Sequence, residues 1–191
     1  ITGIKVKKFW EYMQKKYSFK VVNSHSNKTE MKIIEFALQR IGFDDFSNFL
    51  KDASITVPFG TFKSVYVPFD IGDGNMSMLQ RQIRTCVHEC QHLAQASRDQ
   101  WFVWKYLSSD THRAHYEADA YRTDMEMHLF LTGKLLSPKK LADLLDSYSI
   151  GLADRKIAER HLIISSYHIA KGFVSTSTTK TAIAWWKKYG G

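Results

Sequence analysis

His88-Glu89-Cys90-Gln91-His92 places two imidazoles and a carboxylate within five consecutive residues, and that spacing calls for a helix. At about 100° per residue, positions four apart lie about 40° from each other and one turn along, so both rings can reach one ion while Glu89 falls beside them. The same projection gathers Leu79, Ile83, Cys86, Cys90 and Leu93 on the opposite side and puts Arg81, Thr85 and Gln95 with the histidines. The helix therefore has a core face and a site face. With eight His and seven Glu in 191 residues, the pattern arises by chance only about 0.01 times, so it is read as a site.

The chemistry of such a site is hydrolytic. Two histidines one turn apart suit Zn²⁺, and the glutamate between them suits a general base. Two histidines do not complete a zinc site, which needs a third protein ligand and a fourth position open to water. Residues 110–134 read as a second long helix, with Ser109 or Asp110 as N-cap and Gly133 as its stop. Glu117 follows His92 by 25 residues, which leaves room for a connector over 97–108 to turn the chain back so that the two helices cross. Its carboxylate is the expected third ligand, and His115 on the same helix is the alternative. Cys86 and Cys90 point away from the histidines and are expected as small buried apolar residues. Two cysteines offer no disulfide framework.

An HExxH helix followed by a helix carrying Glu-x-x-Ala, here Glu117-Ala118-Asp119-Ala120, resembles the gluzincin metallopeptidases, among them the ImmA/IrrE type and the prenyl-protein protease type. Those families have Asn or Asp after the motif, where this chain has Tyr121. Asp124, two turns beyond Glu117 on the same face, is expected to take that role by orienting a ligand histidine. The metzincin pattern does not fit, because Gln95 and Arg98 stand where a Gly and a third His are required. The resemblance covers residues 79–134, and a run like Tyr116 to Tyr121 after HExxH is also similar to uncharacterised zincin-like proteins of phages.

The resemblance implies a zinc-dependent metallopeptidase with His88, His92 and Glu117 holding Zn²⁺. Glu89 would take a proton from the attacking water and hand it to the leaving amine. A donor for the tetrahedral oxyanion is sought among Tyr121, Tyr116 and His115, with Tyr121 preferred. Upstream, residues 54–59 and 61–69 flank Gly60 as a hairpin in which Val65, Val67 and Phe69 alternate with Ser64 and Tyr66, so one face can be buried. Its edge could hold an extended protein or peptide substrate as an added strand.

The rest of the chain reads as helices: residues 4–16, 28–41 with Asn27 as cap, a turn over 45–50, a helix opened by Ser137-Pro138 and running to 147, another over 153–171 closed by Gly172, and a last one over 180–189 after a Ser/Thr linker at 175–179. Asp70 to Asn75 superficially resembles a calcium loop but lacks its ligand spacing, and is expected to cap the HExxH helix. The fold expected is α+β, a helix-dominated, zincin-like single domain over 1–191 with a small sheet before the HExxH helix, the site at 79–134 and a helical part over 137–191. No apolar run reaches the roughly 18 residues of a membrane span, and no signal peptide is visible, so an intracellular, cytoplasmic protein is expected, with a phage origin implied by the last resemblance. The start at Ile1 suggests that upstream residues are trimmed or missing.

Lys and Arg outnumber Asp and Glu, 27 to 19, for a net charge of +8, which favours acidic partners or nucleic acid. No nucleic-acid motif organises these charges, and a solvated basic surface is the plainer expectation. Two other readings remain open beside the peptidase: a catalytically silent zincin-fold interaction protein with a basic surface, and a DNA-associated protease.

Overall fold

The chain is described by a computed structural model covering residues 1–25, 32, 54–59, 62–148 and 150–190. The expected helix over 28–41 with its cap Asn27, the turn over 45–50 and Gly60 lie outside the described residues. Helix α1 (Gly3–Tyr17) starts at Thr2, whose hydroxyl accepts from the Lys5 amide at 3.4 Å, and buries Val6, Phe9, Trp10 and Met13, the i, i+3, i+4, i+7 stripe of an amphipathic helix. Ser18, at φ 54°, ends it in the left-handed region.

Three strands come next: β1 (Lys20–Asn23), β2 (Ile55–Phe59) and β3 (Phe62–Val67), in the order β1-β3-β2. β3 is central, parallel to β1 with Lys20 opposite Ser64, and antiparallel to β2 with Ile55 opposite Tyr66. The expectation of one buried face on this hairpin needs correction. Val65, Tyr66 and Val67 are all buried, as a central strand with both faces covered requires.

Helix α2 (Met76–Arg98) carries HExxH. Asn75 caps it, accepting from the Met78 amide at 3.0 Å, and Gln82 reaches back to fasten the preceding turn through the Gly72 amide at 2.7 Å and the Asp73 carbonyl at 2.8 Å. That turn abuts α1 so closely that a Cβ on Gly3 would lie 2.0 Å from the Gly72 carbonyl oxygen. The expected connector is partly helical: α2 runs on to Arg98, and α3 (Phe102–Ser108) takes up most of the remaining span. Helix α4 (Asp110–Thr132) begins at Ser109 and stops at Gly133, whose φ of 70° suits glycine.

Beyond it come α5 (Pro138–Asp143), a 3-10 turn (Leu144–Tyr148), α6 (Leu152–Ala170) and α7 (Ser177–Tyr189). The helix expected to reach 147 thus tightens into a 3-10 turn after Asp143. The last helix starts three residues earlier than expected, because Thr176 caps it by accepting from the Thr179 amide. The described part is therefore α+β and dominated by helices.

Two separate apolar clusters organise it. The first unites α1, the sheet, the Leu79-Ile83-Cys86-Cys90-Leu93 face of α2, and α7, where Phe9 meets Trp185 and Trp186 at ring distances of 5.3 and 5.5 Å. Both cysteines are free and buried there. The second joins Ala114, Ala118, Tyr121 and Met125 of α4 to Leu141, Leu145 and Leu162. Helix α4 serves both clusters, since its Met127 is buried in the first with the apolar face of α2, and the polar faces of α2 and α4 meet between them.

Glu126, only 2% exposed, ties the C-terminal segment to α4. Its carboxylate accepts from the Ser175 amide at 2.8 Å, the Ser175 hydroxyl at 3.0 Å and the Thr176 hydroxyl at 2.7 Å. Glu126→Ala removes these charge-assisted bonds, and chemical denaturation is expected to read a loss of about 1.5–3 kcal/mol. A loss below about 0.5 kcal/mol would mean that the clamp is not structural.

Candidate metal centre

The polar seam between α2 and α4 holds His88, His92 and Glu117. The two imidazoles stand edge to face with centroids 5.0 Å apart. His88 Nδ1 lies 2.8 Å from Asp124 Oδ2, and His92 Nδ1 lies 2.9 Å from Gln95 Oε1. The Gln95 amide nitrogen donates in turn to the Tyr116 carbonyl at 3.0 Å, which fixes the side chain so that its oxygen faces His92. Both partners of Nδ1 are acceptors, so each Nδ1 bears the proton and each Nε2 is left to face the seam.

Those two Nε2 atoms converge on Glu117: His88 Nε2 is 3.6 Å from Oε2, and His92 Nε2 is 3.3 Å from Oε1. One ligand atom from each of the three residues lies within 4.8 Å of the others. Tyr106 donates to Glu117 Oε1 at 2.5 Å, whereas Oε2 is buried with no hydrogen-bond partner. An orphaned carboxylate oxygen beside two inward-facing imidazole nitrogens is the donor set a metal ion satisfies. This group can hold a metal ion.

Without an ion, protons take its place. Burial opposes a charged His88, yet Asp124 and Glu117 overcome it and raise its pKa well above the ordinary 6.5. His92 is raised in the same way, burial being outweighed chiefly by Glu117. Burial likewise opposes ionisation of Glu117, but the two histidines win and hold its carboxyl far below the usual range.

Glu89 is buried beside the triad but outside it. Thr56 on β2 donates to Glu89 Oε2 at 2.7 Å, which fastens the carboxylate to the sheet. Burial pushes its pKa up, and Thr56 and the histidines only partly offset that. A cleft of about 530 Å³ opens here, with His88, Glu89, Tyr121, Asp124 and Tyr148 in its wall.

The three expected oxyanion donors separate. Tyr121 lines the cleft with its ring 5.3 Å from that of His88. The Tyr116 hydroxyl donates instead to Asp99 Oδ2 at 2.8 Å, and burial with that bond raises it to about 12. His115 is exposed on the outer side of α4 and stands outside the triad, so it is not a ligand alongside His88 and His92. Tyr106, Tyr148 and Thr56 were not anticipated from sequence. No spacing rule ties them to HExxH, since each arrives on a different element. Burial raises both the Tyr121 and the Tyr148 hydroxyl well above 10, so both stay protonated.

No family model matches this sequence, no curated protein matches it, and no solved structure matches it.

Because His88 and His92 must shed protons to bind an ion, calorimetry in buffers of different ionisation enthalpy is expected to show proton release on Zn²⁺ binding near neutral pH, with affinity falling as pH falls. Asp124→Ala is expected to weaken Zn²⁺ binding by about 10–100-fold, and His88→Ala to abolish it. In the metal-free chain the raised His88 contributes stability that is full below 6.5 and lost as pH rises through its elevated value. His92 and Glu89, also raised, act in the same sense. The lowered Glu117 works oppositely, contributing above 4.5 and losing that contribution as pH falls through its depressed value. The Tm of the metal-free protein is therefore expected to fall as pH rises above 6.5, and less so in His88→Ala.

Proposed function

We propose that this chain is a metal-dependent peptidase of the gluzincin kind, with Zn²⁺ as its ion, a zincin-like fold and a protein or peptide as substrate. The observation that carries this reading is Glu89. A metal site that served structure alone has no use for a buried, non-ligating carboxylate at its edge, raised in pKa and fastened by Thr56 so that it borders the cleft. When bound, the ion supplies Lewis acidity, which polarises a carbonyl and makes water easier to deprotonate.

The chain's own groups supply the rest. Glu89 accepts a proton from the attacking water and delivers it to the nitrogen of the departing amine, returning to its carboxylate form at the end of the cycle. Tyr121 and Tyr148, kept as phenols by burial, offer hydrogen bonds to the oxyanion that develops on the attacked carbonyl. Asp124 and Gln95 hold the two imidazoles in their tautomers and orientations.

Substrate placement fits the same geometry. β2 pairs with β3 on one side only among the described residues, and Thr56, which fastens Glu89, sits on β2. A peptide that adds as a strand along this edge runs past the general base.

The test is Glu89→Gln. It is expected to retain stoichiometric zinc and to lose about 10²–10⁴-fold in peptide cleavage measured against a peptide library. Equal cleavage by Glu89→Gln and the parent overturns the mechanism. Zinc bound by both without turnover in either leaves a metal-holding interaction protein as the better reading.

A further inference from the structure

The wall of the cleft also carries residues that the hydrolytic chemistry does not use. Arg84 stands four residues before His88 on α2 and lines the cleft together with the exposed Arg81 and with Leu141, Leu144 and Ser147. Arg84 is half-buried, and its Nε is shut off from solvent with no hydrogen-bond partner. Among the described residues no carboxylate lies in ion-pair range of it. Its field reaches His128, which burial and then the Arg84 charge hold below the ordinary imidazole value. Lining the cleft without an ion-pair partner among the described residues, this guanidinium is available to an entering anion.

Beside the cations, Leu141 and Leu144 offer an aliphatic wall for methylene groups, and Ser147 a hydroxyl.

We propose that this part of the cleft wall is a carboxylate subsite in which Arg84 receives an anionic group of the substrate, either an acidic side chain or a free C-terminus. The proposal rests on the peptidase reading only for the substrate being a peptide. It gives a specificity to a site for which sequence offers none. The guanidinium fork accepts a carboxylate through two parallel hydrogen bonds, and an isosteric amide leaves part of that fork unmet.

Binding and cleavage are to be measured separately. For binding, zinc-loaded Glu89→Gln protein is titrated with end-blocked hexapeptides carrying one Glu at successive positions, each beside its Gln twin, and with one neutral peptide bearing a free or an amidated C-terminus. One of the two arms is expected to favour the carboxylate by about tenfold or more in Kd. Adding Arg84→Gln is expected to bring that ratio to about one, Arg84→Lys to keep part of it, and Arg84→Glu to shift preference toward Lys-containing peptides. Zinc stoichiometry in each variant reports that the site is still folded. No carboxylate preference in either arm, no binding by any peptide, or a preference that survives Arg84→Gln with zinc in place each overturns the subsite. Cleavage by the parent chain is scored on the same peptides. Carboxylate preference without cleavage keeps the subsite and removes the hydrolytic reading, and cleavage without preference does the reverse.

Discussion

A carboxylate at 1% exposure, as Glu117 is, cannot stay charged in a protein interior unless opposite charge or hydrogen bonds surround it. Two imidazoles from α2 and the Tyr106 hydroxyl from α3 are the groups that surround it here. That requirement fixes how α2 and α4 face each other. It also explains the supporting contacts outside the triad: Asp124 behind His88, Gln95 behind His92, and Arg113, buried and paired with Asp110 at 2.6 Å, donating at 2.8 Å to the Tyr106 carbonyl at the corner between α3 and α4. Each holds a polar group in place so that the next is not left unpaired.

Much of this was legible in the residues themselves, for reasons of period. The 3.6-residue repeat places His88 and His92 on one side of a helix and Leu79, Ile83, Cys86, Cys90 and Leu93 on the other, and those five are buried in one cluster. Helix punctuation was equally readable at Ser109, Gly133, Ser137 and Gly172, where a side-chain oxygen or a left-handed glycine ends the hydrogen-bond ladder. The same face argument put Asp124 within reach of a ligand histidine, seven residues after Glu117.

The features that escaped are set by tertiary contact rather than by local pattern. Helix α3 lacks a capping side chain and is only seven residues long, below what propensity alone sustains. It is helical because Phe102 is buried and the Tyr106 ring packs near His92. Thr56 and Tyr148 approach Glu89 and Tyr121 from the sheet and from the 3-10 turn, and no count of residues along the chain foretells such meetings. Alternation alone places Tyr66 on an open face for the same reason: a central strand is recognised only once its neighbours are known.

Because His88 and His92 come from α2 and Glu117 from α4, an ion held by all three would be thermodynamically linked to the cohesion of that helix pair, each strengthening the other by the same free energy. A chelator would then act on the ion-bound protein as a mild denaturant, withdrawing from the α2–α4 boundary the free energy that the ion contributed.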